Sequence, residues 1–283
     1  YKRQVLKQHK PDIIYAALSG FGQTGPYTKR RSFAPIAEAM SGHTMLTWEN
    51  NESKGRPVDM AQAYGDLGPG TMATMAILAA IRHRDRSGVG QMIDVAQLDC
   101  MVAYNTAITG YLLSGMKPKE LREKYPRGRG AGGTFKTKDG GWIRLAAFGA
   151  RAMDRIVQHL GKDIDEISQE MMEEMVSKLN RDEAVEQFTS WGLPCAPIYH
   201  VDEAIDDLHV MARDMFVELD HPLAGKIKLI NFPLKFSETQ PKLKTPAPTL
   251  GQHNKEIIMD LIGYDEEKYN DLMKKGVISY SDK

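Results

Sequence analysis

The N-terminal half of the chain alternates short apolar runs with segments of helical periodicity, and this alternation limits the folds open to it. Residues 13–18 form an apolar run between a proline and a glycine, which is typical of a buried parallel strand. Residues 91–96 are expected to form a second strand. Helix-like segments lie between and after them, at residues 33–41, 71–84 and 98–113. This order predicts an α/β fold in which helices cover the faces of a parallel sheet.

The sequence changes character after residue 112. Residues 117–129 are charged and contain two prolines, so we place a linker at residues 113–125. Asp139 and two glycines then separate two apolar segments, a pattern that predicts a β-hairpin. Helices are expected further along, at residues 150–160, 171–179 and 182–191. Residues 126–215 are therefore expected to form a smaller α+β domain.

The C-terminal part of the chain combines extended segments with helices. Short strands are expected at residues 216–219 and 227–230. Residues 237–250 are rich in proline, which stiffens an extended connector. Two helices are expected near the end, at residues 254–262 and 266–275.

The composition argues against several classes of function. The chain has 283 residues with 37 basic and 37 acidic side chains, so it lacks the basic excess of a nucleic-acid binder. No apolar run approaches the length of a bilayer span, so we expect no membrane partner. The two cysteines, Cys100 and Cys195, lie far apart and outside any Cys-x-x-Cys motif. A reduced, cytoplasmic setting fits them better than a disulfide framework.

Asp66 is the strongest candidate for a chemical role. It lies in the segment Tyr-Gly-Asp-Leu-Gly-Pro-Gly at residues 64–70, directly before the helix expected at residues 71–84. Its carboxylate is expected to occupy the helix N-cap, held by backbone N–H groups and the helix dipole. Many aspartates at such positions only cap a helix, but the glycines around Asp66 leave room for a ligand. A fixed, uncrowded carboxylate can act as a nucleophile toward an acyl carbon.

A glycine-rich loop follows the first expected strand. It has the sequence Ser-Gly-Phe-Gly-Gln-Thr-Gly-Pro-Tyr at residues 19–27 and includes Gly20 and Gly22. Ligands bind at the carboxyl ends of strands in open α/β sheets. A plain turn would account for the glycines equally well, so spacing alone leaves both interpretations open.

These motifs together resemble the class III CoA-transferases, the CaiB/BaiF and formyl-CoA transferase family, which also contains the acyl-CoA racemases. The resemblance begins at residues 10–27 and includes Gly65 and Asp66. Its other parts are residues 39–42, 77–80, 87–91, 192–197, 215–217, 221–222, 232–233, 236–237 and 247–253. The number and order of these segments carry the resemblance over nearly the whole chain.

The resemblance implies a ping-pong transfer of coenzyme A between an acyl-CoA and a carboxylic acid. Asp66 would attack the donor thioester and form a mixed anhydride. The CoA thiolate would convert this anhydride into an aspartyl-CoA thioester, and the acceptor carboxylate would then take over the CoA through a second anhydride. The carboxylate must stay ionised, which a helix N-terminus favours. Water must be kept away, because it would hydrolyse the anhydride.

The resemblance also implies roles for other residues. The CoA site is expected to include Arg31, Gly20, Gly22 and Gly65. Arg31 matches a position at which relatives carry a basic residue, as the phosphates of CoA require. An active-site glycine loop that shields the anhydride is expected at Gly130, Gly132 and Gly133, although a flexible linker would have the same composition. No metal is expected.

The resemblance further implies a Rossmann-like large domain and a smaller α+β domain in an interlocked homodimer. Residues 1–112 would form the large domain, without the N-terminal βαβ segment that relatives carry. Residues 216–250 would provide return strands and an extended linker. Residues 251–283 would rejoin the large domain as its C-terminal helices.

Two other functions stay open. A racemase needs an acid and a base on opposite faces of the α-carbon, and racemase members carry His and Asp where this chain has Phe33 and Ala34. His43 is nearby in the sequence, but we interpret it as an ordinary, partly buried histidine. Transfer needs only the nucleophile and its oxyanion support, so these residues favour transfer. A non-catalytic CoA-binding subunit is the third possibility, and the intact Gly65-Asp66 pair counts against it.

Overall fold

The computed structural model describes residues 2–50, 55–124 and 131–279. The chain divides into two compact units, Tyr1–Gly130 and Ala131–Lys283. No helix among the described residues combines the length and the apolarity that crossing a bilayer requires.

The first unit is built from two strands with helices before, between and after them. Its elements in the described ranges are α1 (Lys2–His9), β1 (Tyr15–Ser19), α2 (Ala34–Met40), α3 (His43–Asn50), α4 (Tyr64–Ser87), β2 (Met92–Ala96), α5 (Gln97–Tyr104), α6 (Thr106–Ser114) and α7 (Pro118–Lys124). Helix α7 falls within residues 113–125, which were expected to form a linker.

Strands β1 and β2 pair in parallel, which confirms the α/β pattern predicted from the sequence. Their register runs from Tyr15 opposite Met92 to Ser19 opposite Ala96. Parallel strands need a long crossover, and α2, α3 and α4 lie between these two in the sequence. Because both strands end at one edge of the sheet, the segments that follow Ser19 and Ala96 start side by side.

Helix α4 begins at Tyr64 and not at the expected residue 71. The glycines and Pro69 in this segment are typical of a loop, which is why the sequence pattern placed the start too late. Pro69 falls only in the second turn of the helix, where it removes a single backbone hydrogen bond. Gly88 ends the helix in the left-handed conformation, with φ 73°.

The segment expected to form one helix at residues 98–113 forms two. Asn105 breaks it into α5 and α6, and its buried side chain caps the second of these helices. Asn105 Oδ1 accepts a hydrogen bond from the Ala107 N–H at 3.1 Å. An asparagine at this position satisfies one of the free N–H groups at the helix start.

The second unit contains antiparallel strands and further helices. Its described elements are β3 (Gly133–Lys136), β4 (Trp142–Leu145), α8 (Ala150–Leu160), α9 (Gln169–Val176), α10 (Arg181–Ser190), β5 (Cys195–Pro197), α11 (Val201–Ala204), α12 (Leu208–Ala212), β6 (Phe216–His221), β7 (Gly225–Ile230) and α13 (Glu266–Lys274). A 3₁₀ turn at Ile164–Glu166 precedes α9, and a π-helical segment at Glu256–Leu261 replaces the expected first C-terminal helix.

Strands β3, β4 and β5 form an antiparallel sheet in that order, and β6 and β7 form a separate hairpin. The predicted turn between β3 and β4 is confirmed, with Gly140 in the left-handed region at φ 85°. The sheet and helices α8, α9 and α10 enclose a common apolar core. Its largest fully buried side chains are Phe135, Ile143, Leu145, Ile156, Met172 and Phe188.

Candidate active site

Asp66 occupies the third position of helix α4. The N-cap residue is Ala63, whose side chain makes no capping hydrogen bond. The expected N-cap role of Asp66 is therefore wrong, because the helix starts earlier than predicted. The carboxylate still lies in the first turn, where the helix dipole stabilises a negative charge. Asp66 is exposed on the first unit, so its side chain is accessible to a substrate.

The side-chain amide of Gln97 contacts one oxygen of the Asp66 carboxylate. Gln97 Nε2 donates a hydrogen bond to Asp66 Oδ1. Gln97 is the first residue of α5 and follows β2 directly, so the carboxyl end of the sheet positions it. Within the described part of the chain, Oδ2 of Asp66 receives no hydrogen bond. The two oxygens therefore have different surroundings.

A second carboxylate caps the helix that carries Asp66. Glu38 on α2 is only 1% exposed, and its Oε1 accepts a hydrogen bond from the Gly65 N–H at 2.8 Å. The first N–H groups of a helix have no partner inside it, and a negative charge nearby is favoured. Glu38 thus takes the place of a local N-cap and fixes the turn that holds Asp66.

Gly65 allows α2 and α4 to approach each other closely. A Cβ atom at position 65 would lie 2.6 Å from the carbonyl oxygen of Ala34 and 2.8 Å from its Cα. Ala34 is 1% exposed, so this contact is part of the interior. Packing alone explains the glycine, and its expected contact with CoA stays a prediction.

Gly20 lies next to Gln97 at the end of β1. A Cβ atom on Gly20 would lie 2.2 Å from Ser32 Cβ and 3.5 Å from Gln97 Oε1. The Leu98 N–H donates a hydrogen bond to the Gly20 carbonyl at 3.1 Å, which ties the loop after β1 to the start of α5. The structure therefore brings Gly20, Gln97 and Asp66 together.

The loop beyond Gly20 has a defined shape. Gly22 is buried and has φ 82°, a conformation that favours glycine. Its N–H donates to Ser19 Oγ at 3.0 Å, and the Gln23 N–H donates to Asp94 Oδ2 at 2.8 Å. Residues of β1 and β2 thus hold the turn, while CoA binding by Gly22 stays a prediction.

The short basic run after this loop is exposed. The Arg30 guanidinium lies 3.7 Å from the centre of the Tyr27 ring. Arg31 makes no ion pair with the residues that the structure describes, so its charge is available to an anion. Arg31 precedes Ser32, which contacts Gly20, and its expected role toward CoA stays a prediction.

The structure describes two of the three glycines of the expected active-site loop. Gly130 lies outside the described residues. Gly132 and Gly133 belong to the second unit, where Gly133 is the first residue of β3. A Cβ atom on Gly132 would lie 2.7 Å from the backbone nitrogen of Ala147, so close packing explains that glycine. The shielding role of these residues stays a prediction.

His43 lies at the start of α3, close to the end of the helix that carries Glu38. Its Nδ1 is 3.0 Å from Ser41 Oγ. Burial lowers the pKa of His43 below its ordinary value, and the charge of Glu38 partly opposes this change. The structure therefore agrees with an ordinary, partly buried histidine.

The pKa of His43 gives a pH-dependent contribution to stability. Because the folded chain binds the proton less readily than the unfolded chain, the contribution is present above the ordinary histidine pKa and is lost as the pH falls. We expect His43→Gln to reduce the loss of unfolding free energy between about pH 7.5 and about pH 5.5, measured by urea unfolding. Identical losses in the two proteins would contradict this expectation.

Sequence reasoning missed two residues of this site, Gln97 and Glu38. Gln97 directly follows a predicted strand at the edge where ligands bind, and this position was the available signal. Glu38 gave no local signal, because the Gly65 N–H that it binds lies 27 residues further along the chain. Among the described residues, no group of three or more His, Cys, Asp or Glu side chains could hold a metal ion.

Comparison with known proteins connects this geometry to a family. The sequence profile of CoA-transferase family III matches residues 1–254. Over 297 residues the chain is 29% identical to the succinyl-CoA–L-malate CoA-transferase beta subunit of Chloroflexus aurantiacus, with 97% of this chain and 72% of that protein covered. Over 289 residues it is 31% identical to the succinyl-CoA:glutarate CoA-transferase of Mus musculus, with 95% and 64% covered.

A solved structure shares the same architecture. The crystal structure of a CaiB/BaiF family protein from Brucella suis matches with a TM-score of 0.74 and 27% identity. The match covers 91% of this chain and 70% of that structure. The chain thus spans about two thirds of the length of the relatives it resembles.

Proposed function

Since the chain belongs to CoA-transferase family III, we propose that it moves coenzyme A between two carboxylic acids through covalent intermediates on Asp66. Membership of this family makes the chain a CoA-transferase, and the proposal concerns the chemistry and the residues. One observation carries it: Asp66 is exposed in the first turn of α4, with one oxygen bound by an amide and the other without a hydrogen bond from any residue that the structure describes.

The proposed reaction begins with Asp66 Oδ2 and the thioester carbon of the donor acyl-CoA. A C–O bond forms, the C–S bond breaks, and the CoA thiolate leaves. This thiolate then attacks Asp66 Cγ, which releases the donor acid and gives an aspartyl-CoA thioester. The acceptor carboxylate attacks Cγ in turn, and the Cγ–S bond breaks to free the CoA thiolate. The thiolate finally attacks the acceptor acyl carbon, whose bond to the bridging oxygen breaks and leaves the Asp66 carboxylate. Each step exchanges one acyl bond for another, so no redox group is needed.

The surroundings of Asp66 supply two of the requirements of this chemistry. The first turn of α4 places the carboxylate that must attack at the positive end of the helix dipole. The loop at Gly20 and Gly22 would provide approach for the pantetheine thiol, and the free cation of Arg31 would bind a CoA phosphate.

The third requirement is the exclusion of water, because an anhydride hydrolyses readily. The Asp66 side chain is exposed in the structure. We therefore propose that further parts of the assembled enzyme cover the site when CoA is bound, and that the segment of Gly130, Gly132 and Gly133 is one of them.

The relatives suggest which acids to try first. Their names specify succinyl-CoA as donor, with L-malate or glutarate as acceptor. We propose succinyl-CoA as the first donor and small dicarboxylic acids as the first acceptors.

The proposed assembly is an interlocked homodimer with a Rossmann-like large domain and a smaller domain. One relative is the beta subunit of its enzyme, so a pair of different chains is the alternative assembly. Cys100 and Cys195 are both free, which supports a cytoplasmic location.

The direct test is to trap the intermediate. The protein is incubated with succinyl-CoA, quenched with hydroxylamine, digested and mapped by mass spectrometry. We expect a hydroxamate on the peptide that contains Asp66, and none when the thioester is omitted. Absence of this modification, in a preparation that exchanges CoA between acids, would overturn the proposal.

The same preparation distinguishes the two alternatives. A racemase would incorporate deuterium at the α-carbon of a chiral acyl-CoA without exchanging CoA between acids. A non-catalytic subunit would bind CoA, form no hydroxamate and exchange nothing.

A further inference from the structure

We propose that Gln97 is a catalytic residue, whose side-chain amide stabilises the oxyanion that forms on Asp66 when the aspartyl carbonyl is attacked. The inference rests on the proposed function and adds a residue and a step to it. It starts from the hydrogen bond between Gln97 Nε2 and Asp66 Oδ1.

The chemistry of the two side chains determines which of them donates the hydrogen bond. A carboxylate only accepts hydrogen bonds, so the amide nitrogen must be the end of Gln97 that faces Asp66. This hydrogen bond leaves Oδ2 as the oxygen that attacks the thioester. Once Oδ2 carries an acyl group, Oδ1 is the carbonyl oxygen of the aspartyl anhydride, and it lies beside the amide of Gln97.

The position of Gln97 is determined by the backbone around it. It is half-buried and lies at the junction of β2 and α5. The hydrogen bond from the Leu98 N–H to the Gly20 carbonyl anchors the next residue, and the Gln97 side chain packs beside Gly20. A donor that is fixed before the reaction stabilises developing charge without reorganisation.

The hydrogen bond strengthens during two steps of the proposed cycle. When the CoA thiolate attacks Cγ, a C–S bond forms and the carbonyl electron pair moves to Oδ1. Oδ1 then carries a full negative charge, whereas it is neutral in the anhydride. The carbonyl re-forms as the Cγ–Oδ2 bond breaks and the donor acid leaves. Attack by the acceptor carboxylate on the aspartyl-CoA thioester places the same charge on Oδ1.

The other two steps gain nothing from Gln97. In the first step Oδ2 attacks the thioester carbon of the donor. In the last step the bridging oxygen, which the acceptor carboxylate brought to Cγ, departs from the acceptor acyl carbon and restores the Asp66 carboxylate. In both steps the oxyanion forms on the substrate. Only interactions that are stronger in the transition state accelerate a step. The loss of Gln97 should therefore slow attack on the aspartyl carbonyl and leave formation of the first anhydride nearly unchanged.

The test uses succinyl-CoA with one radioactive label in the acyl group and a different label in CoA. The enzyme is mixed with this donor without an acceptor and quenched rapidly, and both labels are counted on the peptide that contains Asp66. For the wild-type chain we expect mainly the CoA label. For Gln97→Met, which keeps the length and loses the donor, we expect mainly the acyl label and a decrease in turnover of about 10²–10³-fold.

Two further variants control the result. Gln97→Glu keeps the shape but replaces the donor with an acceptor, so we expect the same reversal of labels. Gln62→Met removes an exposed glutamine shortly before α4, and we expect wild-type labels and turnover. A merely structural role for Gln97 would lower both labels together, because a misplaced Asp66 would form neither intermediate.

The possible outcomes separate this inference from the proposed function. Reversal of the labels in both Gln97 variants supports the oxyanion role. A wild-type label ratio in these variants, or a parallel loss of both labels, overturns it while the proposed function stands. If the wild-type chain exchanges CoA but carries neither label on the Asp66 peptide, the proposed function fails first.

Discussion

Replacement of Asp66 by asparagine is expected to abolish CoA transfer and to leave the fold intact. The amide lacks the negative charge and the nucleophilic oxygen, and removal of a nucleophile lowers turnover by about 10⁴-fold or more. The side-chain oxygen of asparagine can still accept the hydrogen bond from Gln97. The measurement is steady-state exchange of CoA between succinyl-CoA and a dicarboxylic acid.

Stability should change little, because Asp66 does not cap α4. The N-cap is Ala63, and Glu38 accepts the hydrogen bond from the Gly65 N–H. Loss of an exposed charge in the first turn should cost about 0.3–1 kcal/mol. Asp85→Asn is the matched control, since Asp85 is an exposed aspartate on the same helix, and it should retain full turnover. Near-normal turnover in the Asp66 variant would exclude the nucleophilic role.

Substitution of Gly65 by alanine is expected to damage both stability and activity. The new methyl group would lie 2.6 Å from the Ala34 carbonyl oxygen, and a backbone atom cannot move aside as a flexible side chain can. Overpacking of this kind should lower the free energy of unfolding by about 1–3 kcal/mol. The shift of α4 would also misplace Asp66, and a displacement of about 1 Å can cost ~10²-fold in rate.

The substitution Gly70→Ala, on the same helix, is expected to stabilise the protein. Apart from its chain neighbours and the backbone of its own helix, no described atom would lie within 4 Å of a Cβ atom at position 70, and Gly70 is helical. Alanine loses less backbone freedom on folding than glycine does. The substitution should therefore raise the free energy of unfolding by about 0.5–1 kcal/mol. Urea unfolding and turnover are measured for both variants. Equal effects of the two substitutions would show that contact with Ala34 is not what requires glycine at position 65.

Local sequence patterns predicted many elements of this fold because those elements follow from periodicity. Helix α8 begins and ends at the predicted residues, and the turn at Gly140 forms as its sequence indicates. The parallel pairing of β1 and β2 was likewise predicted from two apolar runs. Patterns of this kind depend on neighbouring residues, so they can be read without knowledge of the tertiary structure.

The start of α4 could not be predicted in the same way. Its first turn contains glycines, lacks a capping side chain at Ala63 and is stabilised by Glu38 from another helix. Tertiary contacts therefore overrode the local preference for a loop. The same limit applies to Gln97, which the sequence places after a strand but whose contact with Asp66 depends on how the crossover closes.

The surroundings of Asp66 come from distant segments of the chain. Glu38 lies 27 residues from the glycine that it binds, and Gln97 lies 31 residues from Asp66. A peptide copied from α4 alone would contain the acid without its supports. Long-range contacts form late when chains fold, so a nascent or partly unfolded chain would carry Asp66 as an ordinary surface carboxylate. If Asp66 is the nucleophile that we propose, its full set of contacts forms only when the crossover between β1 and β2 is complete.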